Sequence, residues 1–325
     1  MINLETKYAG LILRNPLIVG SSGLTNNVSR NQEFEQGGAG AIVLKSLFEE
    51  QIEMQSDVLL HPADAPEASD YVRNYVKGQQ VEQYASLIQD TKKACTIPII
   101  ASINCCKTSV WTDFARRTEA AGADALELNL FNLCTHPETT EKEITDSYLS
   151  VIHEVRRSVS FPLIVKLSKS FSNIPAIVQR LKAEGVNGVV LFNRYYQPDI
   201  DINTMQVVSG QVFSSHSDLS DTLRWTSLVS GKVPGISIAS STGVHQWEDV
   251  IKCLLAGAAA VQLCSVLYTH GTETIPQMLT CLEEWMSQNN YRSLSDFTGK
   301  LSSAPDDDQL KFERAQFMKY YSNRD

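Results

Sequence analysis

ADALELNLFNLC, residues 123–134, is the stretch on which the fold turns. Within it, ALELNL (125–130) is a short, nearly continuous apolar run, entered from Gly122 and left into Thr135-His136-Pro137. Such a run suits a buried strand of a parallel sheet better than a helix. Its C-terminal end presents Asn129, and an irregular segment follows, Phe131-Asn132-Leu133-Cys134. Polar side chains where parallel strands end are where α/β folds do their chemistry. The next question is whether other strands end the same way.

Seven more short runs with turn residues on their flanks read as strands. They are LIVGSSG (17–23), AIVLKS (41–46), PIIASIN (98–104), PLIVKL (162–167), GVVLFN (188–193), GISIAS (235–240) and AAVQLCS (259–265). Helical patterns lie between them, among others at 111–121, 141–159, 174–184 and 246–256. Gly-Ala-x-Ala or Gly-Val-x-Gly, starting at Gly38, Gly122, Gly185 and Gly257, stands just before strands, as a helix stop should. Strands alternating with helices over this length predict a single-domain (β/α)8 TIM barrel over residues 1–302 rather than a doubly wound sheet. A polar, acidic tail is expected over 303–325, preceded by a closing helix at 274–297. The intervals 47–87 and 195–233 are too long for simple crossovers; both leave C-terminal strand ends and are expected to overhang the mouth as lids or selecting segments.

The 325 residues are 43% hydrophobic, enough for the core of one large barrel. A net charge of -9 argues against a general nucleic-acid binder, whose affinity rests on neutralising phosphates. No signal-peptide pattern and no apolar run of membrane-spanning length stands in the chain, so a cytoplasmic protein without a membrane partner is expected. The seven cysteines form no C-x-x-C pair, so neither zinc nor an iron–sulfur cluster is expected and no metal site is assigned.

The strand ends carry the functional argument. They present Ser21-Ser22-Gly23, Lys45-Ser46, Asn104, Asn129, Lys166, Asn193, Ser240-Ser241-Thr242-Gly243 and Cys264-Ser265. Any one of these reads equally as a helix cap; a lysine or amide at so many mouths reads as a site. The loops after the seventh and eighth strands are where barrels bind phosphate, on backbone N–H groups and a helix N-terminus, although a capped turn without a ligand would look similar. Lysines over a barrel mouth neutralise an anion or a reduced cofactor, or less often form a Schiff base.

In order along the chain, NPLIVGSSG (15–23), LKS (44–46), ELNL (127–130), VKL (165–167), FN (192–193), STGV (241–244) and AGAAAVQLCSVLYTHG (256–271) resemble the dihydroorotate dehydrogenases. The ending YRSLSDFTGKL (291–301) is similar to that of their soluble, class 1 members. The resemblance implies FMN as cofactor, pyrimidine biosynthesis as context and a possible homodimer. It places Ser22, Gly23, Lys45 and Ser46 along the flavin, with Lys45 near the ring. Asn104 and Asn129 would bond flavin or substrate, and Lys166 would favour negative charge on the reduced ring. Thr242, Gly243, Cys264 and Ser265 would hold the phosphate, and Asn193 the substrate.

Two departures from the family are visible. Its base, a Cys or Ser in an Asn-Leu-Ser-Cys-Pro-Asn type motif, is replaced by Asn132, with Cys134 two residues later. A neutral amide is no general base, so Cys134 is the candidate, or else an unreactive loop thiol. The family's substrate loop is also missing; residues 67–88 read as helical in its place, and Arg194 stands where small hydroxyl residues are usual. Arg194 would pair with a substrate carboxylate or fill the pocket wall. The resulting expectation is an FMN-dependent oxidoreductase acting on a CH–CH bond of dihydroorotate, another dihydropyrimidine or a small carboxylate. The alternatives are an FMN-binding barrel that has lost dihydroorotate activity, and a non-redox aldolase or isomerase with Lys45 or Lys166 as Schiff-base lysine.

Overall fold

The computed structural model describes residues 2–59, 66–104, 108–130 and 134–303. A hairpin of β1 (Thr6–Tyr8) and β2 (Leu11–Leu13) comes first, then β3 (Leu17–Val19), α1 (Val28–Gln36) and β4 (Ala41–Val43). Next come β5 (Leu47–Phe48), α2 (Glu49–Leu59), α3 (Pro66–Ala94), β6 (Ile99–Asn104), α4 (Thr108–Ala120) and β7 (Ala125–Asn129). They are followed by α5 (Glu141–Ser158), β8 (Leu163–Leu167), α6 (Ile174–Ala183) and β9 (Gly188–Leu191). A second hairpin, β10 (Pro198–Asp201) and β11 (Gln206–Ser209), precedes α7 (Leu219–Lys232) and β12 (Ser237–Ser241). Then come α8 (Trp247–Ala256), β13 (Ala260–Leu263), α9 (Ser265–His270) and α10 (Thr274–Gln288).

Parallel pairing runs β3-β4-β6-β7-β8-β9-β12-β13 and returns to β3, a closed barrel of the expected kind with all eight expected strands in it. Closure works because each strand alternates its faces with period two. Leu17 and Val19, Ile42, Ile99 and Ala101, Leu126 and Leu128, Leu163 and Val165 join the large core between sheet and helices. Their neighbours Ile18, Ala41, Val43, Ile100, Ala125, Ile164, Val190, Ala239 and Ala260 form a second cluster that fills the lumen. Toward the mouth, the lumen-facing parity changes from apolar to polar residues: Ser102, Asn104, Glu127, Asn129, Lys166 and Gln262, all buried. The strand that opened the sequence reading thus carries Ala125, Glu127 and Asn129 up one face, from packing to chemistry.

The other end of the lumen is stoppered by the β1–β2 hairpin. Tyr8, Ala9 and Leu13 pack into the lumen cluster, and Gly188 permits this, because a Cβ there would meet Ala9 Cβ at 3.0 Å. The Tyr8 hydroxyl is buried without a hydrogen-bond partner among the described residues. Burial, reinforced by the nearby Glu127 carboxylate, pushes it well above the usual phenol range. An unpaired buried hydroxyl costs about 1–3 kcal/mol, whereas removing it leaves the ring's packing intact. Tyr8→Phe is therefore expected to hold or raise the melting temperature; a clear fall would mean that the hydroxyl has a partner.

The long intervals depart from expectation in one respect. The described residues of 47–87 are not a loop: β5, α2 and most of α3 occupy them, and α3 runs on unbroken into the barrel's own ring of helices. The helical reading of 67–88 agrees with α3. In 195–233 the β10–β11 hairpin stands out from the body with seven of its eight strand residues exposed, before α7 resumes the ring. The closing helix is also shorter than expected. α10 stops at Gln288, Asn290 takes a left-handed φ of 62°, and among the described residues only a short 3-10 turn, Leu294–Asp296, follows. No helix among the described residues is long and apolar enough to cross a membrane. Residue 132 and the tail from 304 onward lie outside the described residues.

Candidate active site

A cavity of about 600 Å³ opens over the C-terminal ends of β3, β8, β9, β12 and β13. Ser22 and Gly23 bound it on the β3 side, Lys166 on the β8 side, Asn193 and Arg194 after β9, Thr242 and Gly243 after β12, and Cys264 and Ser265 after β13. With Ser21 and Ser241, eleven of the residues singled out in the sequence therefore line one space. The segment following β11 closes over it, with Phe213 stacked on Tyr268 at 5.1 Å between ring centroids.

Two cations line this space, Lys166 and Arg194, and Lys166 is the more deeply buried. Its ammonium donates to Gln262 Oε1 at 3.0 Å and stands 3.9 Å from Glu127 Oε1. Gln262 Nε2 in turn donates to Glu127 Oε2 at 2.6 Å. Glu127 is fully buried and its Oε1 has no hydrogen-bond partner among the described residues. A buried carboxylate without a nearby cation would be strongly destabilising, so the three residues hold one another. Glu127 and Gln262 were missed in the sequence. Their signal was there: a polar residue inside an apolar run, two positions before Asn129 and before Cys264, on the lumen-facing parity.

A second network ties the strand ends across the mouth. Ser21 Oγ and Ser46 Oγ share a hydrogen bond at 3.0 Å, and Ser46 Oγ and Ser102 Oγ another at 2.6 Å. Asn129 Nδ2 donates to Ser46 Oγ at 3.2 Å, and Asn193 Nδ2 donates to Asn129 Oδ1 at 2.7 Å. Ser102 is anchored from outside the barrel, since its N–H donates to the Tyr84 hydroxyl at 2.8 Å and that hydroxyl donates to the Ser102 carbonyl at 3.0 Å. Burial is the main cause of the Tyr84 phenol being held above its usual range, so it stays a neutral donor.

Beneath β12 and β13, Thr242 Oγ1 donates to the Phe192 carbonyl at 2.9 Å. Ser265 Oγ accepts from Ser214 N at 3.0 Å and from Ser214 Oγ at 3.1 Å. Ser214 Oγ also meets His245 Nε2 at 3.2 Å, and burial holds that imidazole below its usual pKa, hence neutral near pH 7. Burial pushes the Cys264 thiol up, partly offset by Lys166 and by Ser22, so it is a packing thiol rather than a thiolate.

Five singled-out residues among the described ones lie elsewhere. Lys45 and Ser46 border a second cavity, of about 410 Å³, between the end of β4 and helices α2 and α3. Asn129 and Asn104 are buried and line neither cavity. Arg194 lines the first cavity, but its guanidinium is engaged by the protein: Asp218 Oδ2 at 2.7 Å, Gln197 Oε1 at 2.9 Å and the Gln211 carbonyl at 3.0 Å. Cys134 is exposed beyond β7, and Asn132 lies outside the described residues.

A family model described as dihydroorotate dehydrogenase matches residues 3–286. The catalytic subunit of dihydroorotate dehydrogenase B (NAD(+)) of Thermoplasma acidophilum is 27% identical over 308 residues, covering 92% of this chain and 99% of its own. The subunit of the same name from Thermoplasma volcanium is 28% identical, covering 92% and 98%. That from Methanosarcina acetivorans is 26% identical over 302 residues, covering 89% and 93%.

Proposed function

This chain belongs to the dihydroorotate dehydrogenase family, and we propose that it oxidises a carbon–carbon single bond beside a ring carbonyl, dihydroorotate to orotate, with flavin mononucleotide in the larger cavity. The carrying observation is the buried Lys166 ammonium facing that cavity, braced by Gln262 and Glu127. The donors fit the cofactor. A cation stands at one side of the space, and the small or hydroxyl residues Thr242, Gly243 and Ser265 stand where a phosphate would lie. Flavin supplies the hydride acceptor when bound.

The chain's own residues have four tasks. Lys166 keeps a fixed positive charge at the cavity, a preorganised stabiliser of negative charge that needs no reorientation during reaction. The Ser21–Ser46–Asn129–Asn193 string holds the mouth in one geometry, with Asn129 oriented by bonds at both ends of its amide. A base takes the proton from the carbon next to the one that loses hydride; for it we propose Cys134, the thiol nearest in sequence to the family's base position, although its side chain is exposed beyond β7 and lines neither cavity. Arg194 shapes the wall through its pairing with Asp218. The reading includes a cytoplasmic homodimer, carried over from related soluble enzymes.

The test is the visible spectrum of the purified protein under anaerobic conditions, before and after dihydroorotate. We expect a flavin band that the substrate bleaches. A colourless protein trapped by borohydride with a carbonyl substrate would replace this reading with a Schiff-base barrel. A flavin band unchanged by dihydroorotate would remove that substrate while keeping the cofactor.

A further inference from the structure

Ser265 lines the larger cavity at the start of α9, and its oxygen is already committed to the protein. That oxygen accepts from Ser214 N at 3.0 Å and from Ser214 Oγ at 3.1 Å. A hydroxyl has two lone pairs and a single proton. With both lone pairs filled by one neighbour, Ser265 has its proton left to give. Ser214 has spent its own proton on Ser265, so at the 3.2 Å contact with His245 Nε2 its oxygen accepts. His245 is therefore an Nε2–H donor, and the bonds run one way, from imidazole to Ser214 to Ser265 to the cavity.

His245 does not line the cavity itself. Asp249, fully buried in the first turn of α8, pins it from behind, accepting from His245 N at 3.1 Å and from Gln246 N at 3.0 Å. The same carboxylate oxygen lies 3.2 Å from His216 Nδ1. The segment after β11 and the loop after β12 are thus stitched together at two points, Ser214 to His245 and His216 to Asp249. Arg194 holds the segment independently, donating to the Gln211 carbonyl and to Asp218 Oδ2, which also accepts from Ser215 N at 2.8 Å. Ser214 therefore keeps its place when the imidazole is removed.

We propose that His245 and Ser214 are positioning residues for the cofactor, a relay that makes Ser265 a one-way hydrogen-bond donor to the cofactor's phosphate. The proposal rests on the flavin reading of the cavity, which puts that phosphate beside Ser265. Ser214 and His245 lie outside the stretches that carry the family resemblance. A free serine hydroxyl turns a lone pair toward an anion as readily as its proton, and the relay removes that freedom. Each bond in such a chain also polarises the next. Burial keeps the imidazole neutral near pH 7, so the relay transmits orientation rather than a charge.

Fluorescence titration of the full chain, freed of flavin, tests this with FMN and riboflavin, which differ only in the phosphate. Wild-type protein is expected to prefer FMN. His245→Leu and Ser214→Ala should each lower that preference about three- to tenfold, the size of one hydrogen bond. His245→Gln, whose amide nitrogen reaches the place of Nε2, should retain it. Riboflavin affinity should be unchanged throughout, which a loosened fold would not give. Because the relay acts through Ser265, His245→Leu should cost nothing further in a Ser265→Ala background. An unchanged preference in His245→Leu would overturn the proposal, as would a further loss in Ser265→Ala/His245→Leu, or wild-type protein that binds the two flavins equally. Wild-type protein that binds neither flavin would instead overturn the flavin reading on which the proposal stands.

Discussion

Lys166→Met is expected to slow reduction of the bound flavin by dihydroorotate about 10²–10³-fold, the cost typical of losing a preorganised charge stabiliser. The same substitution should destabilise the fold, for a separate reason. Lys166 and Glu127 are both buried, 9% and 0% exposed at the side chain, and 3.9 Å apart. Removing the cation leaves Glu127 with the neutral Gln262 amide as its hydrogen-bond donor and no opposite charge beside it among the described residues. Breaking a buried pair from one side costs about 3–5 kcal/mol. The two effects separate in the double variant Lys166→Met/Glu127→Gln, where no uncompensated charge remains. Stopped-flow bleaching should stay slow in that double variant, while the melting temperature recovers most of its loss. Recovery of both would mean that the lysine serves stability alone; recovery of neither would mean that Glu127 is held by something other than Lys166.

Gly243→Ala is expected to be the most damaging single methyl in the mouth. Gly243 has φ of +88°, and a Cβ there would fall 2.3 Å from Leu219 N and 2.7 Å from Leu219 Cα. The obstacle is the backbone at the start of α7, which cannot rotate away as a side chain could. Left-handed strain of roughly 1–2 kcal/mol for a non-glycine residue adds to overpacking of about 1–3 kcal/mol. At about 2–4 °C per kcal/mol for a chain of 150–250 residues, and somewhat less for a longer one, the melting temperature should fall by roughly 4–15 °C. Gly122→Ala is the control. Its φ is +92° and no neighbouring group lies within 4 Å of where the added methyl would sit, so strain alone remains and the fall should be a few degrees. Equal falls would show that backbone strain, not the approach of α7, governs Gly243.

The requirement at Gly243 has a bearing on how such motifs are read. The Ser241-Thr242-Gly243-Val244 stretch suggests a glycine kept small so that a phosphate can approach. The geometry shows a glycine kept small so that the chain's own helix can approach, which brings the N-terminal end of α7 against the cavity wall. Lys45 gives a similar lesson. As the end of the second strand it belongs with Lys166 in sequence, yet it opens into a different cavity, because β5 and α2 turn the chain outward immediately after Ser46.

Eight strands, their order and the closed barrel were legible because each strand is a local signal: a short apolar run, a glycine before it, and a change to polar residues at its end. The polar residues at the strand ends were legible too, and with them most of the candidates for the mouth. The β10–β11 hairpin was not, since its strand residues are almost all exposed and carry no alternation against a core. Nor were the partners. Asn129 meets Asn193 across 64 positions and Lys166 meets Gln262 across 96. Those encounters depend on how far each strand is staggered when the barrel closes, and no local pattern encodes that stagger. The sequence by itself therefore determined where the strands lie and that their C-terminal ends are polar, while the closed barrel showed which parity looks into the lumen. Only the tertiary structure decided which of them touch, that Glu127 braces Lys166, and that Arg194 is committed to Asp218, because side-chain pairing is set by closure and register rather than by periodicity.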